Sequence, residues 1–440
     1  MNVPSHEREM LRPAQAFIRE ESISGLALIA AAILALVWAN LPFGDDTYGR
    51  FWHATMSIDL VVVEIDQALQ HWVNDGLMAI FFFVVGLEIK RELLVGELAG
   101  RARATLPAVA ALGGMVAPAL IYLALNPSGP EREGWGIVIA TDIAFAVGVL
   151  ALLARYVPPQ ARVFLLAVAI FDDLAAIAVI AFFFTEDISW QALGVVVGMV
   201  VLVLPLRRLI MDHLALLLVV GLVLWAAVFE SGIHATVAGV ILAALVPHKP
   251  RVAQADFQTS ASDVMASYQS ALHEGKQDEA DALLGELEEI TQDAEAPLER
   301  LERSLHPLSS FVVIPIFALA NAGIEINGGT FADVFTTTLG LGVVLGLSVG
   351  KPVGIVLATL LAARLGLGAL PVGVGPREVF GVGLLAGIGF TVSIFVTGLA
   401  LTDAEHIDLV KAAIFAAFIA STTAGFLFLR LTAPSESRPR

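Results

Sequence analysis

Long uninterrupted apolar stretches are the feature of this sequence that most restricts its fold. A helix that spans a bilayer needs about 20 mainly apolar residues. Hydrophobic residues make up 57% of the chain and charged residues only 15%, against roughly 25% charged in ordinary soluble domains. A soluble enzyme and a disordered chain are therefore excluded, and the runs are too long for a membrane barrel. Twelve stretches fit a spanning helix: 23–42, 76–94, 104–125, 134–152, 161–184, 188–206, 212–229, 232–248, 307–325, 335–363, 378–401 and 406–431.

The lysine and arginine residues indicate how such a bundle is oriented. Loops on the cytoplasmic side of membrane proteins carry an excess of these residues. With the N-terminus inside, nearly all of them fall in inside segments, and the outside segments hold only Arg50 and Arg132. We therefore expect twelve spans with both termini cytoplasmic.

One long polar segment divides the predicted spans into eight and four. Residues 249–306 hold thirteen acids and five bases, a net −8 of the formal −17. We expect a solvated helical loop there, either without chemistry or with a regulatory or partner-binding role. The predicted parts are a cytoplasmic N-terminal segment (1–22), spans 1–8 (23–249), an acidic cytoplasmic loop (250–306), spans 9–12 (307–431) and a cytoplasmic tail (432–440). The negative charge argues against nucleic acid as a partner, and the absence of cysteine excludes thiolate sites.

The fourth and eleventh spans show a faint similarity to each other. ATDIAFAVG (140–148) and FTVSIFVTG (390–398) share a threonine, a phenylalanine and a glycine at one offset, and both spans carry glycines near their middle. Paired, glycine-interrupted apolar segments are typical of broken helices in inverted-repeat transporters. We therefore expect two broken helices here.

Ionisable residues lie in the middle of three of the apolar stretches, where each costs about 2.5–3.5 kcal/mol or more at the bilayer centre. Asp142, after Thr141, is either a neutral hydrogen-bonded acid or part of an ion path. Asp172 and Asp173 are adjacent but point about 100° apart on a helix, so two different roles are expected. Close, buried carboxylates hold either protons or a small cation, which predicts exchange of one for the other. Lys351 is either their counter-charge or a lysine that reaches towards the membrane surface.

A second group of charges ends the second span. Glu88, Lys90, Arg91 and Glu92 form either an ordinary charge belt at the membrane boundary or a funnel that gathers cations and responds to proton concentration. His234 titrates in a useful range, although a lone histidine is more often simply hydrogen-bonded.

These motifs resemble those of the NhaA family of sodium/proton antiporters over residues 15–430. The motifs that carry the resemblance are NDGLMAIFFFVVGLEIKREL, ATDIAFAVGVLALL, AIFDDLAAIAVIA, SGIHATVAGV, HPLSSFVVIPIFALANAG, GKPVGI and GIGFTVSIFV. The resemblance implies an all-α fold of twelve helices, in which spans 3–5 are inverted relative to spans 10–12 and the broken spans 4 and 11 cross. It also implies exchange of sodium or lithium for protons in the plasma (inner) membrane of a bacterium. It implies no cofactor, no enzymatic activity, and a homodimer formed through a hairpin near residues 45–70.

The resemblance further implies a role for each site residue. Asp173 is expected to be the more direct sodium ligand, and Asp172 a proton carrier that pairs with Lys351; Thr141 completes the expected sodium site. Asp142 is expected to compensate the helix-end dipoles at the break. The residues that match the family's pH-response region are Glu88, Lys90, Arg91, Glu92, Glu302 and His234.

The sequence departs from the family in the segment 250–300, which is longer and more acidic than expected. Three other functions compete with antiport. A cation-coupled organic-anion symporter would need anion-binding groups, but Lys351 is the only base in mid-span. An intramembrane aspartyl protease would need a Gly-x-Gly-Asp signature, which is absent. A passive cation channel should not bind its ion as tightly as paired carboxylates do.

Overall fold

The computed structural model describes residues 23–41, 44–60, 63–96, 98–185, 188–324 and 328–433. The chain is mostly helical, as predicted. The predicted N-terminal segment and most of the predicted tail lie outside the described residues. The helices are α1 (Ile23–Ala39), α2 (Gly44–Trp52), α3 (Leu69–Leu94), α4 (Arg101–Leu125), α5 (Ile143–Leu152), α6 (Pro159–Phe183), α7 (Trp190–Asp212), α8 (Leu214–Glu230), α9 (Val237–Leu245), α10 (Gln254–His273), α11 (Gln277–Ala294), α12 (Pro297–Asn321), α13 (Gly328–Thr336), α14 (Thr338–Arg364), α15 (Pro376–Ala386), α16 (Phe390–Ala400) and α17 (Ala404–Leu431).

Membrane-crossing length is reached by fewer helices than the twelve predicted. In the described ranges, seven helices are long and apolar enough to cross a bilayer: α3, α4, α6, α7, α12, α14 and α17. Two bent pairs bring the number to nine if each pair is one span. Many large apolar side chains on the outer surface are exposed, among them Leu218 and Val201. Such a surface suits lipid rather than water.

The two bent pairs fall in the glycine-containing segments. The 3₁₀ helix Pro130–Val138 precedes α5 and the two axes differ by 41°, while α15 and α16 differ by 48°. The two breaks meet, since the backbone N–H of Asp142 donates a hydrogen bond to the carbonyl of Ile388 (2.6 Å). Non-helical backbone at membrane depth is tolerated only where it is buried in protein or lines a cavity.

Small residues allow two of the long helices to approach closely. Helices α4 and α14 pack against each other along their length. A Cβ atom on Gly354 would lie only 2.0 Å from the carbonyl oxygen of Gly113, so no larger residue fits at this crossing. Interfaces of this kind are typical of helices that associate within a bilayer. The contact places Lys351, one turn before Gly354, against the inside of the bundle.

Three helices contain a π-helical segment, in which hydrogen bonds run to i+5: residues Trp72–Leu77 in α3, Ser309–Val313 in α12 and Gly346–Gly350 in α14. The last of these directly precedes Lys351. Segments of this type occur often at functional sites.

An antiparallel strand pair is the one exception to the all-α prediction in the described part of the chain. Strands β1 (Thr55–Leu60) and β2 (Val63–Ala68) pair from Thr55 opposite Ala68 to Leu60 opposite Val63. The hairpin connects α2 to α3.

The predicted acidic segment is a helical hairpin followed by the start of α12. Helices α10 and α11 pack on each other, and Arg251 ties their base to α7 through ion pairs with Asp212 and Asp293. Arg300 also contacts Asp212 (2.9 Å). Helix α12 runs without a stop from Pro297 to Asn321, so residue 306 lies within a helix.

Candidate functional site

The Asp142 carboxylate lies where two helices begin at the crossing of the breaks. One oxygen, Oδ2, accepts hydrogen bonds from the backbone N–H (3.1 Å) and hydroxyl (2.6 Å) of Thr391, at the start of α16. The other, Oδ1, accepts from the backbone N–H of Phe145 (3.3 Å) and so caps α5. Helix N-termini carry partial positive charge. One buried carboxylate therefore compensates two of them.

The opposite ends of the broken segments present carbonyl groups, which carry partial negative charge. Lys351 donates a hydrogen bond to the carbonyl of Ile139. The hydroxyl of Thr141 lies 2.9 Å from the carbonyl oxygen of Ala386 and 2.7 Å from Asp172 Oδ2. Because a hydroxyl has only one proton to donate, Thr141 serves one of these acceptors at a time.

Asp172 and Lys351 form an ion pair that is closed to solvent. Both side chains are 0% exposed, and Lys351 Nζ lies 3.0 Å from Asp172 Oδ2. The second carboxylate oxygen, Oδ1, is buried without a hydrogen-bond partner among the described residues. Only one of the two carboxylate oxygens therefore has a hydrogen-bond donor, and keeping the charged pair buried in this state costs free energy.

Asp173, the next residue on α6, has different surroundings. Its carboxylate makes no hydrogen bond to another described residue and lines a cavity together with Glu88, Thr141 and Asp142. The centres of water molecules can occupy a volume of about 60 Å³ in this cavity. About 10–15 Å³, measured in the same way, is enough to hold one water. The buried Asp173 thus faces room for several waters or a partly hydrated ion, whereas Asp172 faces protein.

Arg91 joins two helices about one turn along α3 from Glu88, which lines this cavity. Its guanidinium lies 2.9 Å from Glu92 on its own helix and 2.6 Å from Glu302 on α12. Lys90 donates to three carbonyls at the end of α9: Ala243 (3.3 Å), Ala244 (2.6 Å) and Val246 (2.5 Å). Five of the six residues assigned to a pH response are thereby brought to one end of α3.

His234 lies apart from that cluster. Its Nε2 is 3.6 Å from the carboxylate of Asp75, and its Nδ1 is 2.9 Å from the hydroxyl of Thr236. Asp75 and Glu88 are thirteen residues apart on α3, or about 20 Å at 1.5 Å per residue. His234 therefore cannot contact the Arg91 group. Near that group and beyond the last residue of α9, burial and the charges of Lys249 and Lys90 lower the pKa of His248.

Three residues at the site did not stand out in the sequence. Thr391 had appeared only as part of the faint repeat, yet it holds Asp142. Ser309 and Ser310 line the same cavity as Asp173; two adjacent hydroxyls early in an apolar span were the available signal. The described residues contain no group of three or more histidine, aspartate or glutamate side chains arranged around a metal ion.

Charged residues buried at the crossing of broken helices, beside a cavity large enough for water, are the features of a membrane-embedded ion transporter. The model of the family Na⁺/H⁺ antiporter 1 matches residues 15–429, and the chain belongs to this family.

Curated relatives match over nearly the whole length. Among them, "Na(+)/H(+) antiporter NhaA 2" of Sorangium cellulosum is 43% identical over 434 residues, which is 98% of this chain and 92% of the relative. "Na(+)/H(+) antiporter NhaA" of Oleidesulfovibrio alaskensis is 43% identical over 96% of this chain and 94% of the relative. The protein of the same name from Serratia proteamaculans is 42% identical over 95% and 97%.

Proposed function

We propose that this chain carries sodium or lithium out of a bacterial cell in exchange for incoming protons, at a site built from Asp172 and Asp173. Sodium/proton antiport is the activity of the family to which the chain belongs. The observation that carries the site assignment is the difference between the two neighbouring carboxylates. Asp172 is paired with Lys351 inside protein, while Asp173 lacks a hydrogen-bond partner among the described residues and faces a cavity.

In the proposed exchange, a cation enters the cavity and binds to Asp173, with Asp172 and the Thr141 hydroxyl as further oxygen ligands. A cation beside the pair competes with protons, because both neutralise the same buried negative charge. Its arrival weakens the hold of Lys351 on Asp172, and protons leave. When the site opens to the other side, protons rebind and the cation departs.

The broken helices supply the moving part of this proposal. Their ends are held by side-chain contacts of Asp142, Thr141 and Lys351 rather than by continuous helix. A change of charge at the site therefore acts directly on these contacts. We assign the pH response to Glu88, Lys90, Arg91, Glu92 and Glu302. His234, which lies beside Asp75 at the other end of α3, is assigned a role separate from this group.

The proposed topology has twelve spans, with both termini and the acidic loop 250–306 in the cytoplasm and spans 3–5 inverted relative to spans 10–12. The two short apolar helices α1 and α8, 17 residues each, together with α9, would complete the twelve. We also propose a homodimer. The β1–β2 hairpin supports it, because a two-stranded sheet leaves edges that a second copy can pair with.

The test uses purified protein in liposomes that enclose a pH-sensitive dye. A proton gradient is imposed and sodium, lithium or potassium is added outside. Wild-type protein should collapse the gradient with sodium or lithium, and Asp173→Asn should abolish this while eluting as a folded protein. Asp263→Asn, an exposed acid on α10, is the matched control and should behave as wild type. Absence of cation-dependent proton movement in wild type would refute the antiport, and full activity of Asp173→Asn would refute the site.

A further inference from the structure

Two buried hydroxyl groups line the same cavity as Asp173. Ser309 is 3% exposed and Ser310 is 8% exposed. Both lie in the π-helical segment of α12 and line the cavity that Asp173 and Glu88 also line. In a π-helix each residue turns less about the axis than in an α-helix, so two successive side chains can face one space.

Neither hydroxyl has a hydrogen-bond partner in the part of the chain that the structure describes. Serine in a helix commonly donates to the carbonyl four residues earlier, as Ser304 does to Arg300 (2.8 Å). Ser309 and Ser310 make no side-chain hydrogen bond to any other described residue. Their oxygens still meet open space, since they are not among the sealed polar atoms that lack a partner. Buried polar groups are normally satisfied, so two free hydroxyls on a cavity wall indicate a ligand there.

The charges around the cavity indicate what that ligand is. Glu88 and His306 on its rim are partly exposed, whereas Asp173, Asp142 and Thr141 at its inner end are buried. Glu88 and Asp142 lie within electrostatic range of Asp173. Three carboxylates around a small polar space favour a cation, and hydroxyl and carboxylate oxygens are the ligands that hard cations prefer.

We propose that Ser309 and Ser310 form a second, transient binding site for an alkali cation, between Glu88 on the rim and Asp173. The inference rests on the proposed antiport and names residues that determine its apparent affinity. A cation that leaves bulk water loses part of its hydration shell, and the two hydroxyls replace some of those waters before Asp173 is reached. Without them, entry is less favourable but the chemistry at Asp173 is unchanged.

The test measures sodium- and lithium-dependent proton movement in the same liposomes, for wild type, Ser309→Ala, Ser310→Ala and the double variant. If each lost contact is worth as much as an ordinary hydrogen bond, the KM should rise about 5-fold for each single variant and about 25-fold for the double variant. The maximal rate at saturating cation should stay within about twofold. Ser304→Ala, whose hydroxyl is satisfied within its own helix, should change neither value.

A second pair of variants separates binding from folding. Ser309→Thr and Ser310→Thr keep the hydroxyl and should hold the KM within about twofold of wild type. An unchanged KM in a folded Ser309→Ala/Ser310→Ala protein would overturn the proposal, as would a loss of maximal rate without a rise in KM. Both outcomes leave the antiport intact if wild type is active and Asp173→Asn is not. Failure of the antiport itself would appear as inactive wild type.

Discussion

Removal of Lys351 tests the energetic role of the buried ion pair. Lys351→Met keeps the length of the side chain but leaves Asp172 in a site where both partners are 0% exposed. Breaking a buried pair by removing one partner costs about 3–5 kcal/mol, because the remaining charge is uncompensated. The cost depends on the charge of Asp172, since a protonated carboxyl is neutral and needs no counter-charge. The destabilisation should therefore be greatest at alkaline pH and shrink as the pH falls.

The expected shift in melting temperature follows from the size of the chain. At about 2.1 cal/mol/K per residue, 440 residues have an unfolding entropy of about 0.9 kcal/mol/K. A loss of about 3–5 kcal/mol then lowers the Tm by about 3–5 °C. Thermal unfolding in detergent, followed by tryptophan fluorescence at about pH 5 and about pH 9, measures this difference.

The double variant Asp172→Asn/Lys351→Met supplies the decisive comparison. Both charges are gone, so the Tm should return most of the way towards that of wild type at alkaline pH. Lys276→Met, a charge removed from an exposed turn, is the control and should leave the Tm unchanged. The reasoning is refuted if Lys351→Met melts like wild type at alkaline pH, or if the double variant is no more stable than the single one.

Two further predictions concern packing and the acidic segment. Gly354→Ala would place a methyl group 2.0 Å from the carbonyl oxygen of Gly113 and should destabilise the protein by about 1–3 kcal/mol or more. Gly398→Ala, with nothing within 4 Å, should leave the stability unchanged. Equal Tm values for the two variants would contradict the close crossing of α4 and α14. Arg251→Ala removes the partly exposed ion pair with Asp212. It should lower the stability of the protein by less than about 1 kcal/mol and leave the transport rate unchanged. A loss of transport would show instead that the acidic segment is coupled to the site.

The sequence was sufficient to predict the class of fold and several residues that lie together in the candidate site. Apolar runs of spanning length predict membrane helices because a bilayer offers the backbone no hydrogen-bond partners. For the same reason, an acid or a lysine inside such a run must have a function or a partner, which singled out Asp142, Asp172, Asp173 and Lys351. Glycines in mid-span predicted where helices would break.

The number of spans was less certain, because a sequence pattern does not say where a helix stops. The stretch 232–248 reads as a full span, yet the helix within it is only Val237–Leu245. The stretch 307–325 belongs to a helix that already begins at Pro297. Tertiary contacts, such as those of Lys90 with the last carbonyls of α9, determine such ends.

The different surroundings of the two adjacent aspartates follow from the packing of the helices. Helix geometry predicts only that Asp172 and Asp173 point in different directions. The family resemblance implied that Asp172 meets Lys351, 179 residues later in the chain, but no local pattern accounts for that pairing. That depends on the close approach of α4 to α14 and on the crossing of the broken helices, which bring Lys351 to Asp172 and leave Asp173 facing the cavity. The amino-acid sequence identifies the charged residues that need a partner or a function inside a membrane. The packing of distant helices decided which of them became partners, because long-range contacts leave no local pattern in the chain.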